Sequence, residues 1–279
     1  MTSTSQPSHQ TPHPDDNYTH GHHESVLSSH RARTAENSAQ YLLGRLKGGQ
    51  RLLDVGCGPG TITADLAKIV APGEVVALDR EPAIVAEATQ LAAAQSIDNL
   101  TGVVGDVYSL EFDDASFDIV HAHQVLQHLS DPVAALAEMA RVTRSGGTVA
   151  VRDADYDAMT WFPADPRLDR WMQIYQSVAR ANRAEPNAGR ALLSWANQVG
   201  FAEVTPSASV WCFATDQTRQ WWGGLWAERM ISSPVAHQAQ SEAIATAGEL
   251  EGIGAAFRQW ADHPDGWFTV LSGEILATC

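Results

Sequence analysis

Leu52-Leu-Asp-Val-Gly-Cys-Gly-Pro-Gly-Thr61, followed after an amphipathic run by Val75-Val-Ala-Leu-Asp79, decides the fold. An apolar strand carries Asp54 near its end, turns on Gly56, Gly58 and Gly60, and enters a helix. A second apolar strand then ends in another acid, Asp79. Glycine has no Cβ, so such a loop lets main-chain groups lie against a ligand. An acid about 20 residues beyond the loop stands where a ribose hydroxyl pair needs an acceptor. The order is that of a nucleoside-binding βαβ unit.

The glycine spacing narrows the ligand. Gly56, Gly58 and Gly60 follow G-x-G-x-G, with Thr61 next, where a dinucleotide fingerprint needs G-x-G-x-x-G. A pyrophosphate sits on the helix N-terminus and demands close backbone approach there. S-adenosylmethionine has no pyrophosphate and carries a positive amino group and a positive sulfur. Asp54 suits those charges, directly or through water, or organises the loop through its backbone N–H groups.

Four segments extend the pattern: LLDVGCGPGT (52–61), VVALDRE (75–81), VVGDVYSLEFDDASFDIVHAHQVLQHLSDP (103–132) and LAEMARVTRSGGTVAVRD (136–153). In this order they resemble the class I S-adenosylmethionine-dependent methyltransferases, in particular the ubiquinone/menaquinone C-methyltransferase-like group that acts on small molecules. The resemblance covers Gln50 to about Tyr156, and Tyr18–Val26 with Arg33-Thr34 resembles the cap of one branch. It implies S-adenosyl-L-methionine as donor, S-adenosyl-L-homocysteine as product and a small-molecule methyl acceptor. Asp79, beside Arg80, takes the ribose, and Asp106 takes the adenine amino group with the backbone N–H of Val107 on a ring nitrogen. Gly56, Gly58 and Thr61 line the methionyl part, with His121 and Gln124 near the methyl. Tyr18 and His23 fold over the cofactor, and Arg33 reaches its carboxylate.

Methyl transfer is an in-line displacement in which sulfur loses its positive charge, so alignment and desolvation dominate. A phenol, alcohol or activated carbon acceptor also needs a base. His123 follows the fourth strand and is the preferred base or substrate hydrogen-bond partner, with His128 a second candidate; each also reads as a packing histidine. All nine tryptophans fall after Asp153. Trp221-Trp222-Gly-Gly-Leu-Trp226 reads equally as pocket wall or packing, and Trp161 joins it. Asp153 and Arg190 are candidate polar contacts to the acceptor. An apolar or aromatic acceptor follows from the pocket reading.

Alternating strands and helices imply an α/β fold, a Rossmann-like, mostly parallel seven-stranded sheet with an antiparallel C-terminal edge. Residues 1–17 are polar and Pro-rich and are expected to be disordered. A cap over 18–46 carries one helix from about Glu24 to Leu46. The methyltransferase domain takes 47–279, with a helical lid insert at about 214–264, because a structureless loop of that length would be unusual.

A net charge of −15 argues against nucleic acid or an anionic membrane as partner. The absence of an 18-residue apolar run or a signal-peptide pattern, with three cysteines at no metal or framework spacing, points to the cytoplasm. His20, His22 and His23 lack a fourth ligand at recognisable spacing, so no metal is expected. Homodimer formation stays open. Two rivals remain from the residues: an NAD(P)-binding oxidoreductase, and a catalytically silent S-adenosylmethionine-binding regulator.

Overall fold

The computed structural model describes Thr19 and residues 24–279, so Tyr18, His20, His22 and His23 fall outside the described residues. Where one cap helix is expected there are three short ones, α1 (Glu24–Arg31), α2 (Ala35–Ser38) and α3 (Gln40–Leu43). Thr34 causes the break. Its hydroxyl accepts the Asn37 N–H while the Asn37 side chain accepts the Thr34 N–H, a capping box that starts a new helix. Apolar spacing alone does not register such a competing side-chain bond.

Strand β1 (Leu52–Val55) leads through the glycine loop into α4 (Thr61–Val70) and β2 (Val75–Asp79). Pro82 opens α5 (Pro82–Ala94), where its missing N–H costs nothing, and β3 (Leu100–Val104) follows. Then come β4 (Phe117–His123), a single 3-10 turn over Leu126–His128, and α6 (Pro132–Val142), capped by Asp131. Strand β5 (Thr143–Ala154) begins earlier than the Ser145-Gly146-Gly147 turn suggests, because Thr143 already pairs with Phe117 before the register slips.

Beyond it lie β6 (Thr160–Phe162), α7 (Pro166–Ala181), α8 (Ala188–Val199) and β7 (Glu203–Phe213). Three consecutive helices, α9 (Asp216–Ser232), α10 (Pro234–Ser241) and α11 (Ala247–Asp262), precede β8 (Trp267–Thr278).

The sheet runs β3-β2-β1-β4-β5-β8, and β1 to β5 are mutually parallel. Strand β8 is antiparallel to β5 and to β7, which pairs along its whole other side as the edge. The sheet has eight strands rather than seven. The extra one, β6, extends the line of β5 by pairing Thr160–Phe162 with Thr269–Trp267. Three residues are too few to show a period, so β6 exists only because β8 offers it a partner.

Leu53 and Val55 face α6 and α8 through Leu136, Met139, Leu192 and Ala196. Leu52 faces the cap and α4–α5 through Ala35, Leu42, Leu66 and Ala88. A third core joins α7, α9 and α11 around Trp171, whose ring meets Trp226 at 4.5 Å and Phe257 at 5.1 Å, both edge-on. Such ring pairs add about 0.5–1.5 kcal/mol each beyond burial. This core seats α9 beside the C-terminal ends of the parallel strands, where ligands of such sheets bind.

Candidate active site

The loop after β1 is built around glycine for steric reasons. Gly60 has φ +82°, and a Cβ there would stand 2.7 Å from Ala88 Cβ. At Gly56, φ is +67° and a Cβ would meet Val125 at 2.5 Å. The loop is held to β2 by Asp79, whose two oxygens accept the N–H groups of Gly58 (3.2 Å) and Glu81 (3.1 Å). Around this loop lies a cavity of about 390 Å³. Its wall includes Asp54, Gly56, Gly58, Thr61, Asp79, Arg80, His123, Gln124 and His128. The size suits a small ligand.

Below the loop, Asp54 is almost fully buried. Its Oδ1 is 2.7 Å from His121 Nδ1, and its Oδ2 accepts the Thr63 hydroxyl at 2.5 Å. The same sheet face continues as a cross-strand polar row: His123 opposite Arg152, Arg152 opposite Glu274, and Glu274 opposite Ser207.

At the end of β4 the chain turns on Gln124, a non-glycine residue at φ +55°. Holding a side-chain residue there costs roughly 1–3 kcal/mol, and such strain clusters at functional sites. The Gln124 side chain accepts Arg33 Nη2–H at 2.6 Å, and Arg33 also lies 5.7 Å from the Trp211 ring centroid. Among the described residues, neither ring nitrogen of His123 has a hydrogen-bond partner. Burial, helped by the charges of Arg33 and Arg152, holds His123 well below the usual imidazole range.

His128 is pushed down to about 3, mainly by burial and further by Arg33. Because Gln127 Oε1 accepts the Ala154 N–H, its amide nitrogen donates to His128 Nε2 (3.0 Å), which places the ring proton on Nδ1. Both histidines are therefore neutral and weakly basic near pH 7.

A second cavity, about 640 Å³, adjoins the first. The two share His30, Arg33, Gln124 and His128 in their walls. Tyr156, Trp211, Phe213, Trp221 and Trp222 bring five aromatic rings to its lining, and Ser29 and Arg229 add polar groups. Phe213 stacks on Trp222 at 4.4 Å, which fixes that wall. The Trp211 indole N–H donates to the Asn37 carbonyl (2.7 Å) and ties β7 to the cap.

Several expected site residues stand elsewhere. Asp106 and Val107 follow β3 outside the lining of the first cavity, and the Asp106 carboxylate accepts the Tyr108 N–H (3.0 Å). His121 lies beneath the floor, turned to Asp54. Of four expected acceptor contacts, only Trp222 lines the second cavity. Arg190 is held on α8 by both oxygens of Asp155, at 2.5 and 2.7 Å, over a separate surface depression. Trp161 stacks on Phe268 at 5.6 Å as packing. Asp153 is fully buried; its Oδ1 accepts the Gln127 N–H, and burial raises its carboxyl to about 7 against the pull of that bond. Tyr18 and His23 lie outside the described residues.

The residues missed from sequence are His30, Trp211 and Arg229, while Trp221 lines the second cavity as the pocket-wall reading of its cluster expects. His30 stands in the last turn of α1 and Arg33 just beyond the helix end, so no helical spacing links the two in sequence. Trp211 sits in an alternating strand. Nothing local distinguishes Arg229 from a solvated helix charge.

Comparison with known proteins agrees with this geometry. The profile of the methyltransferase domain matches residues 46–220. A protein of Schizosaccharomyces pombe named as an uncharacterized methyltransferase is 34% identical over 269 residues, covering 93% of this chain and 95% of its own. A demethylmenaquinone methyltransferase of Beutenbergia cavernae is 33% identical over 165 residues, 57% of this chain and 65% of that one.

Among solved structures, a phosphoethanolamine N-methyltransferase of Haemonchus contortus, complexed with phosphomonomethylethanolamine and S-adenosylhomocysteine, shares the fold. Its TM-score is 0.53 at 18% identity, over 86% of this chain and 52% of that one. The chain belongs to the methyltransferase domain family and is a class I S-adenosylmethionine-dependent methyltransferase. The nicotinamide oxidoreductase and silent-regulator readings give way to it. Among the described residues, no helix is long and apolar enough to cross a membrane.

Proposed function

We propose that the first cavity holds S-adenosylmethionine, that the second receives a small aromatic or apolar acceptor, and that the methyl passes between them. The shared wall of His30, Arg33, Gln124 and His128 carries this reading, since it sets two chemically different chambers side by side. The cofactor fits its side. Glycine leaves room along the methionyl chain, and a Cβ at Gly58 would meet only His30 at 3.9 Å. Asp79, acceptor-only and fixed by two backbone N–H groups, suits paired ribose hydroxyls. The cofactor supplies an electrophilic methyl on sulfonium.

The protein's own residues supply position and dryness. Gln124, braced by Arg33, stands at the passage between the chambers and orients the reacting ends. His128, with its proton on Nδ1 and a conjugate acid near 3, acts as a hydrogen-bond partner. His123 lines the cofactor cavity and keeps the place of a neutral base. Five aromatic rings exclude water from the acceptor. The α9–α11 segment acts as a lid, and the short helices α1–α3 close the other side. The relative named for demethylmenaquinone supports an apolar acceptor. The three cysteines, all free thiols, suit a reducing cytoplasm.

The test pairs binding with turnover. Asp79→Ala should raise the Kd for S-adenosylhomocysteine at least tenfold by calorimetry. His123→Ala should lower kcat while leaving that Kd within about twofold. Release of S-adenosylhomocysteine across an aromatic acceptor library should be detectable. Unchanged cofactor affinity in the first variant would sink the ribose assignment, and turnover confined to hydrophilic acceptors would sink the acceptor reading.

A further inference from the structure

Beneath the first cavity, two neighbouring strands set a carboxylate and an imidazole opposite each other. Asp54 on β1 pairs with His121 on β4, and the two are 3% and 0% exposed. Asp54 lines the cavity, whereas His121 stands below it. Asp54 Oδ1 lies 2.7 Å from His121 Nδ1, and its Oδ2 accepts the hydroxyl of Thr63, a fully buried residue of α4, at 2.5 Å. Facing a carboxylate, which accepts, the imidazole donates from Nδ1.

His121 Nε2 is buried and has no hydrogen-bond partner among the described residues. A buried polar atom left unpaired is costly, and an apolar ring would fill the same place without that cost. What the imidazole adds is a donor aimed at Asp54. Thr63 adds a second donor on the other oxygen. An aspartate alone turns broadly about its terminal torsion, and one donor on each oxygen fixes the plane of the carboxylate.

The sheet order indicates which part of the donor meets that carboxylate. Asp79 ends β2, Asp54 lies near the end of β1 and Gln124 follows β4, and these strands are neighbours in that order. A donor extending from a ribose at Asp79 toward the passage at Gln124 brings its methionyl chain over β1. That chain carries two cations, the sulfonium and the amino group. Only the amino group has N–H bonds to give a carboxylate held in one orientation.

Resting on the cofactor cavity proposed above, we propose that His121 is a positioning residue for donor binding: with Thr63, it holds the Asp54 carboxylate in the orientation that receives the donor's amino group. Asp54 makes the contact and His121 acts through it. A carboxylate fixed in advance spares the ordering cost that binding would otherwise carry.

Calorimetry with S-adenosylhomocysteine and 5′-methylthioadenosine tests this, because the second ligand keeps the nucleoside and the thioether and lacks the amino-acid end. His121→Phe should weaken S-adenosylhomocysteine by about fivefold or more and leave 5′-methylthioadenosine within about twofold. His121→Asn, whose amide N–H takes the place of Nδ1–H, should restore most of the loss. Asp54→Asn should cost at least as much, and adding His121→Phe to it should cost nothing further. If His121→Phe does not fold, Thr63→Val, which removes the other donor, reads the same selectivity.

Equal losses for the two ligands, or none, in a folded variant make His121 a packing residue and overturn the proposal. A further loss in the double variant overturns action through Asp54. Unchanged S-adenosylhomocysteine affinity in Asp54→Asn overturns the amino-group contact. Failure of the wild-type protein to bind either ligand removes the cofactor-cavity reading, and the proposal with it.

Discussion

Replacing Glu274 by glutamine probes how the sheet tolerates a guanidinium in its interior. Arg152 is 1% exposed and Glu274 6%. They face each other across β5 and β8, with Nε to Oε1 at 3.3 Å. Ser209 bridges them, accepting from Arg152 at 3.0 Å and donating to Glu274 at 2.5 Å, and Ser207 adds a 2.7 Å bond. Breaking a buried pair from one side costs about 3–5 kcal/mol because the remaining charge stays buried.

Glutamine keeps an acceptor for one of the two serines while the other hydroxyl can turn to accept from the amide N–H, and the Trp211 ring, 4.6 Å from the guanidinium carbon, still opposes the charge. Cation–π contact contributes up to about 2 kcal/mol when desolvated. The loss should therefore fall at the lower end, about 3 kcal/mol. At roughly 2–4 °C per kcal/mol for a chain of this size, Tm drops by about 6–12 °C.

Urea unfolding followed by tryptophan fluorescence measures the loss. A paired Arg152→Met, Glu274→Leu protein should recover to within about 1 kcal/mol of the wild type, because neither charge remains. A loss below about 1 kcal/mol in Glu274→Gln would refute the reasoning, as would a double variant no more stable than the single one.

Gly60→Ala should cost on the order of 2 kcal/mol or more and raise the Kd for S-adenosylhomocysteine, since the added Cβ meets both Cβ and Cα of Ala88 within 2.8 Å. Gly146→Ala is the control, with φ +73° but nothing within 4 Å of its Cβ, so urea unfolding of the pair isolates the clash and equal losses would exclude it. Asp153→Asn should change how stability depends on pH. A carboxyl raised from 3.8 to about 7 in the folded state contributes stability that is full below pH 3.8 and lost as pH rises toward 7. The asparagine protein should therefore gain on the wild type between pH 5 and 8 in parallel urea titrations; a constant difference would contradict that shift.

The regular part of the fold is legible because each element carries its own signal. The helices Thr61–Val70 and Pro132–Val142 start at a glycine turn and an Asp-Pro cap, and the strand Leu100–Val104 stands between turn residues. Elements made by pairing or by side-chain competition are not. The three-residue β6 depends on β8, more than 100 residues later, and Thr34 divides the cap helix by a bond that apolar spacing does not encode. Arg190 and Trp161 stand outside the second cavity for a related reason. Each looks available in sequence, yet Asp155 clasps one and Phe268 covers the other.

The two halves of the site differ in legibility because they are assembled differently. Asp54, the glycine loop, Asp79 and Gln124 all sit at or just after ends of parallel strands, so topology alone brings them to one edge. The second cavity joins α1, the segment after β5, β7 and α9, and the contact of Ser29 with Arg229 in its wall spans 200 residues. No periodicity reports such a meeting.

The family profile ends at residue 220, ahead of most of α9, and leaves Arg229 outside. In the proposed assignment, donor recognition is written in local motifs. Acceptor recognition would then depend on how α9 is laid against the cap, a placement supported by the ring contacts of Trp171, Trp226 and Phe257. A substitution in that core, remote from both cavities, should therefore alter acceptor affinity before donor affinity.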